Sequence, residues 1–223
     1  MKKMMTPSSK PHNQREDKDL YRTRQPVADS LTKIVARWIA NGLTGEGRRE
    51  FLDDPLYVLE PGCYDGPFLK AFQKAWMGKA PLCMTGVDIV PKPENFDTSI
   101  AEYEQLDYLN LSQKNKDFLK SEVIIGNPPF ALAEQFLKTS HELIERNGMI
   151  ALVLQMGFLG SRERISLFEK YKPKEVHVLT PRLGFIREGK KNGTDMREYI
   201  LALWRPWNPS ATTLHWHDWK LIP

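Results

Sequence analysis

An α/β fold, with a mostly parallel sheet and helices on both faces, is predicted by three features of the sequence. Short apolar runs bounded by Gly, Pro or Asn alternate with stretches whose apolar residues recur at helical spacing. Several of these runs are apolar almost throughout, as in strands covered on both faces. Four of the strand candidates lead into Glu60, Asp88, Asp107 and Asn127, and open α/β sheets bind ligands beyond the carboxyl ends of their strands.

The elements follow in order. Residues 1–19 are polar, without periodicity, and read as a disordered basic tail, leaving 20–223 as a single domain. Val27, Leu31, Ile34, Val35, Trp38 and Ile39 mark a helix over 27–40 that stops at Asn41-Gly42. Residues 56–59 read as a buried strand entering a tight turn at Glu60-Pro61-Gly62, and 68–77 as the helix after it. A second buried strand spans 82–87, ending at Asp88, and a weaker one spans 103–106 before Asp107. The clearest strand, 122–126, runs into Asn127-Pro128-Pro129-Phe130. A helix over 131–145 closes at Asn147-Gly148, followed by a strand at 149–154 and a helix at 162–171. Strands at 175–179 and 199–204 have no helix between them, which predicts an antiparallel pair at one end. The Trp- and His-rich stretch 214–221 suits a last strand.

The 223 residues, 41% hydrophobic, suffice for one soluble domain with a sizeable core. No apolar run approaches the ~20 residues of a membrane-spanning helix, so no membrane partner is expected. The N-terminal lysines have no apolar region after them, unlike a secretory signal. Cys63 and Cys83 are too few for a disulfide framework, which makes a cytoplasmic location the default. Trp38, Trp76 and Trp204 sit in apolar runs and read as core. His141, His177, His215 and His217 lack metal-ligand partners at useful spacing, so no metal is expected. Charge is uneven: residues 1–24 carry seven Lys or Arg against three Asp or Glu, 25–160 carry 13 against 18, and 161–197 carry ten against five. Basic stretches flanking an acidic middle fit either solvated surface or a footprint for a phosphate backbone. Lys190 and Lys191 are the best candidates for phosphate contact, and a solvated loop is the plain alternative.

Glu60-Pro61-Gly62-Cys63-Tyr64-Asp65-Gly66 combines two glycines, which let the backbone approach a ligand, with acids where a phosphate would be repelled. The ligand is therefore cationic or hydroxyl-bearing. Asp88 at a strand end can accept from ribose hydroxyls. In Asn127-Pro128-Pro129-Phe130 the prolines stiffen the backbone, and Asn127 adds a side-chain carbonyl to the main-chain acceptors beside an aromatic ring. A ring-conjugated amine is a poor nucleophile because its lone pair is delocalised. Two acceptors on its hydrogens favour the pyramidal form that attacks, a stabilisation expressed in the transition state.

These residues resemble the class I S-adenosylmethionine methyltransferases, in the branch that methylates amino groups. Residues 60–69 look like the cofactor motif, which implies Glu60, Gly62, Cys63, Asp65, Gly66 and Phe68 as cofactor neighbours; Cys63 and Tyr64 stand where small residues are usual. Asp88 and Ile89 match the ribose-binding segment, Asp107 the acid near the cofactor's adenine, and Asn127-Pro128-Pro129-Phe130 the catalytic motif of N6-adenine enzymes. Tyr21 and Thr23, around Arg22, resemble the element covering the methionine end. Residues 157–161 and 181–185, with Gly193-Thr194-Asp195, are similar to compact phage and prophage adenine methyltransferases, where the loop before the last strand lies beside the target base. The resemblance implies a Rossmann-like, seven-stranded, mostly parallel sheet with an antiparallel last strand, and a bacterial or phage-infected host. It implies S-adenosylmethionine as cofactor, DNA as favoured partner, and Arg182, Phe185, Arg187, Lys190, Lys191 and Thr194 as nucleic-acid contacts.

Only about fifty residues separate Phe130 from Arg182, too few for a separate target-recognition region. Sequence recognition would come from the 181–197 loop, the basic tail, a partner subunit, or not at all. Three other readings remain open: an RNA adenine methyltransferase, a protein glutamine methyltransferase, which typically has Tyr in place of Phe130, and a non-enzymatic nucleic-acid binder on the same fold.

Overall fold

The computed structural model describes residues 21–42, 54–76, 80–186, 196–206 and 211–222. The expectations for the 1–19 tail and for Arg187, Lys190, Lys191 and Thr194 lie outside them. In chain order the elements are β1 (Arg22–Thr23), α1 (Gln25–Gly42), β2 (Leu56–Pro61), α2 (Pro67–Ala75), β3 (Leu82–Asp88), β4 (Glu102–Gln105), α3 (Gln113–Phe118), β5 (Ser121–Gly126), α4 (Ala133–Leu143), β6 (Ile144–Gln155), α5 (Ile165–Lys170), β7 (Glu175–Thr180), β8 (Phe185–Ile186), β9 (Tyr199–Trp204) and β10 (Thr213–Asp218).

Eight strands form one sheet in the order β10-β7-β9-β6-β5-β2-β3-β4. All neighbours are parallel except β9, which lies antiparallel between β6 and β7. The expected antiparallel pair is therefore present. It is not the sheet's end, because the C-terminal stretch adds β10 as an eighth strand, parallel to β7. This is the mostly parallel α/β sheet the sequence predicts, extended by one edge strand.

Strand pleating divides the core cleanly. In β9, Tyr199, Leu201 and Leu203 face the layer of α1 and α2, while Ile200, Ala202 and Trp204 face the layer of α4 and α5. In β6, Met149, Ala151 and Val153 take the first face and Ile150, Leu152 and Leu154 the second. Both faces are dry, which explains strands apolar at every position. Helix α1 contributes Val27, Leu31, Ile34, Val35 and Ile39 to the first layer, the stripe its spacing predicts.

The largest difference from the expected boundaries lies between α4 and β6. Helix α4 stops at Leu143, because Ile144 already pairs with Ser121. A bulge separates that pair from Val123↔Met149, and Asn147, with φ 68°, absorbs extra residues that read as a loop. The short helix α3 buries no residue, and its exposed polar surface carries no periodic signal.

Helix α4 also holds His141 against the Tyr171 ring, 4.2 Å between centroids. Burial, aided by nearby Lys170, lowers its pKa to about 4. The folded state thus keeps this imidazole neutral where the unfolded chain protonates it near 6.5. Its stabilising effect is complete above pH 6.5 and is lost as pH falls toward 4. Urea unfolding at pH 7.5 and pH 5 should therefore show a loss of stability on acidification that is smaller in His141→Phe; equal losses in both proteins would contradict this.

Candidate active site

The carboxyl ends of β2, β3, β5 and β6 open on one side, where the strand order reverses between β2 and β5. Gly62 turns the chain out of β2 at φ 68°, and the amides of Gly62 and Cys63 both donate to the Val87 carbonyl at the end of β3. On the other flank, a Cβ on Gly126 would sit 3.2 Å from the Pro61 carbonyl oxygen. Glycine thus allows the end of β5 to close on the end of β2 and brings Asn127 beside the Gly62 turn.

Two lobes of one crevice result, sharing Gly62 and Pro129. The polar lobe, about 460 Å³, is bordered by Arg22, Thr23, Glu60, Asp65, Asn127 and Pro128. The apolar lobe, about 420 Å³, is bordered by Asp88, Ile89, Asp107, Leu109, Leu132 and Phe136. Of the expected cofactor neighbours, Tyr21 and Cys63 also border the polar lobe. Phe68 is fully buried in the core, and Gly66, with φ 68°, precedes α2.

The acids are largely engaged by backbone. Glu60 is 2% exposed and accepts from the amides of Phe68 (3.1 Å) and Leu69 (3.0 Å) in the first turn of α2. Burial outweighs these donors and pushes its carboxyl well above the usual carboxylate range. Asp88 accepts from the amides of Tyr64 (2.9 Å) and Val90 (3.3 Å). Asp107 accepts from Leu109 N–H at 3.0 Å in an Asx turn. Asp65 is held by Arg22 (3.0 Å) and Asn95 (2.9 Å), and the Arg22 guanidinium lies 4.2 Å from the Tyr64 ring centroid.

The Asn127 side-chain nitrogen donates to the Tyr21 carbonyl at 3.0 Å. A carbonyl only accepts, so this contact fixes which end of the amide faces Tyr21. The other end, Oδ1, is buried and has no hydrogen-bond partner among the described residues. Next to it, Phe130 packs with Tyr21 (5.2 Å between centroids), Tyr199 (5.4 Å) and Phe185 (6.1 Å). These contacts are reinforced by a two-stranded antiparallel pair that the sequence does not announce, β1 with β8, joining Arg22 to Ile186 and Thr23 to Phe185. Phe185, expected to face nucleic acid, is 3% exposed and turned inward as a support for Phe130. Arg182 is exposed and paired with Glu198 at 2.9 Å.

Beyond Phe130 lies a second groove of about 520 Å³, bordered by Ala133, Gln155, Gly157, Phe158 and Arg164. Gln155 Nε2 is buried without a hydrogen-bond partner among the described residues. Gln155 ends β6 as Asn127 follows β5, so its position at a strand's carboxyl end was the available signal for it. Arg22 and Leu132 likewise border the crevice without having been singled out.

No protein-family model and no curated protein sequence matches the chain. Solved structures do. The methyltransferase subunit of a type I restriction-modification system from Streptococcus thermophilus superposes with a TM-score of 0.60 at 15% identity, over 83% of this chain and 44% of that one. The fold is that of the Rossmann-like methyltransferases. This chain spans less than half the length of that subunit. A candidate RNA methyltransferase from Pyrococcus horikoshii superposes at 0.56 and 14% identity, over 82% of this chain and 86% of that one. A predicted O-methyltransferase from Agrobacterium tumefaciens superposes at 0.51 and 16%, over 85% and 84%. Proteins named for such different activities share this fold, so the likeness shows the fold and not what this chain acts on.

Asn127→Asp removes the N–H that Tyr21 accepts and sets a carboxylate against that carbonyl. The variant should lose about 1–3 kcal/mol of stability and expose residues 21–24 to faster amide exchange. An unchanged unfolding midpoint with unchanged exchange would show that the Tyr21 contact does not hold the amide.

Proposed function

We propose that this protein transfers a methyl group from S-adenosylmethionine to the N6 amino group of adenine in DNA. The observation that carries this reading is the Asn127 amide at the border of the crevice, pinned through its nitrogen, with its oxygen buried and without a partner among the described residues. A buried acceptor without a donor is costly unless a ligand supplies one. A ligand amine meets that need, and a phosphate or carboxylate does not.

The crevice suits the cofactor at both ends. Arg22, Asp65 and Thr23 border the polar lobe, where they can receive an amino acid's carboxylate and ammonium. Asp88, Asp107 and the apolar wall of Ile89, Leu109, Leu132 and Phe136 suit a nucleoside's hydroxyls and base. When bound, S-adenosylmethionine supplies an electrophilic sulfonium methyl. Asn127 Oδ1 and the Pro128 carbonyl accept hydrogen bonds from the adenine amine, drawing its lone pair out of conjugation. Pro128 and Pro129 hold that backbone stiff. Phe130, braced by Tyr21, Phe185 and Tyr199, offers a face to the base, which is extruded from its stack into the groove bordered by Gln155 and Arg164. The methylated amine is acidic enough to lose its proton to water.

The basic 181–197 segment (Arg182, Arg187, Lys190, Lys191 and Thr194), the 1–19 tail or a partner protein serves to engage the nucleic acid. Adenine in RNA is the second reading. It is favoured by the fold likeness to a candidate RNA methyltransferase that this chain matches over 86% of its length.

Incubation with labelled S-adenosylmethionine and, separately, duplex DNA, single-stranded DNA, RNA or protein extract tests this. Label is expected on adenine N6 of DNA, and absent with Asn127→Ala although calorimetry still detects cofactor binding. Label confined to RNA selects the second reading, label on protein overturns the nucleic-acid substrate, and full activity of Asn127→Ala overturns the mechanism.

A further inference from the structure

The sheet gathers a second set of polar side chains far from the crevice, near the amino end of β7. Glu175 and His177 are two apart on β7 and share the face toward α1. The parallel partner β10 sets Thr213 beside Glu175 and His215 beside His177. Glu175 Oε2 then lies 3.0 Å from His177 Nε2 and 3.9 Å from His215 Nε2. One ligand atom from each of the three residues falls within 4.8 Å of the others. Linear spacing separates Glu175 from His215 by forty positions, so only the register reveals the cluster.

We propose that Glu175, His177 and His215 bind a divalent transition cation of the zinc class. Tetrahedral coordination at the usual ~2.0–2.2 Å bond lengths separates ligand atoms by roughly 3.3–3.5 Å. His215, whose side chain is 42% exposed and whose ring stacks on His177 at 4.8 Å between centroids, reaches this by turning its ring out of that stack. Its present neighbour, the Thr213 hydroxyl at 3.3 Å, is easily released. Imidazole and carboxylate together favour zinc, nickel or copper over calcium or magnesium.

The surrounding contacts match those that orient metal ligands. Trp38 Nε1 of α1 donates to Glu175 Oε1 at 2.7 Å, leaving Oε2 for the cation. His177 Nδ1 lies 2.8 Å from His217 Nε2. When His177 Nε2 ligates, its proton sits on Nδ1 and is donated to His217, so both rings remain neutral. The site would tie the edge strand β10 to β7 and, through Trp38, to α1. β10 otherwise has a single strand neighbour and mostly exposed side chains, Trp216 among them at 68%.

The test uses the full chain without an affinity tag, stripped of metal, and titrated with zinc against a chromophoric chelator. One equivalent is expected to bind, raising the thermal unfolding midpoint by about 5 °C or more at saturating zinc. His215→Ala and Glu175→Gln should each weaken binding by about 100-fold while unfolding, without metal, near the wild-type midpoint. His217→Ala should weaken it by about 10-fold, and Cys83→Ser, which removes an exposed thiol, should leave it unchanged. Failure of the wild type to take zinc from the chelator, or undiminished binding in both His215→Ala and Glu175→Gln, would overturn the proposal.

Discussion

One side-chain amide organises the active end of this fold. Asn127 follows the close approach of Gly126 to Pro61, where a Cβ would be tight against the Pro61 carbonyl, and its orientation is set by the Tyr21 carbonyl that accepts from its nitrogen. Tyr21 is set in turn by β1, which pairs with β8 next to the buried ring of Phe185. A segment from before α1 and a segment from before β9 thus meet beside Asn127 and Phe130. The rings of Tyr21, Phe130, Phe185 and Tyr199 fill the space between them. The cost is a buried acceptor without a partner among the described residues, a local sacrifice of stability typical of sites that bind a ligand.

The acids divide by position into those that shape the site and those that can meet a ligand. Glu60 lies beneath the loop with its carboxylate spent on the first turn of α2, so its main effect is to fix the helix against the end of β2. Asp88 fixes the left-handed Tyr64, whose φ is 48°, and still borders the apolar lobe with its carboxylate. Asp65 sits at the polar lobe with Arg22 as counter-charge, so this end presents both signs, as a zwitterion requires.

How legible this was from sequence follows from the range of each interaction. Glu60, Asp88 and Asn127 follow buried apolar runs, and the topology of a parallel sheet brings such strand ends together whatever the loops do. The motif around Asn127 could be read for the same reason, since its stiffness is written in adjacent prolines. The β1–β8 pair could not: two residues on each side form no periodic pattern, and their partnership spans most of the chain. The resemblance makes Phe185 a nucleic-acid contact, whereas ring packing with Tyr21 and Tyr199 holds it inward, a contact no local pattern shows. Strand β10 was only suggested by its composition, as an edge strand exposed on alternate residues carries a weak signal. Its histidines became a cluster only once the register with β7 was known.

A crystal structure with S-adenosylhomocysteine and a short adenine-containing oligonucleotide tests the central claim most directly. The account predicts an extruded adenine against Phe130, its exocyclic nitrogen about 3 Å from Asn127 Oδ1, while the Tyr21 contact persists. An adenine bound elsewhere, or an Asn127 amide turned so that its oxygen leaves the crevice, would contradict it.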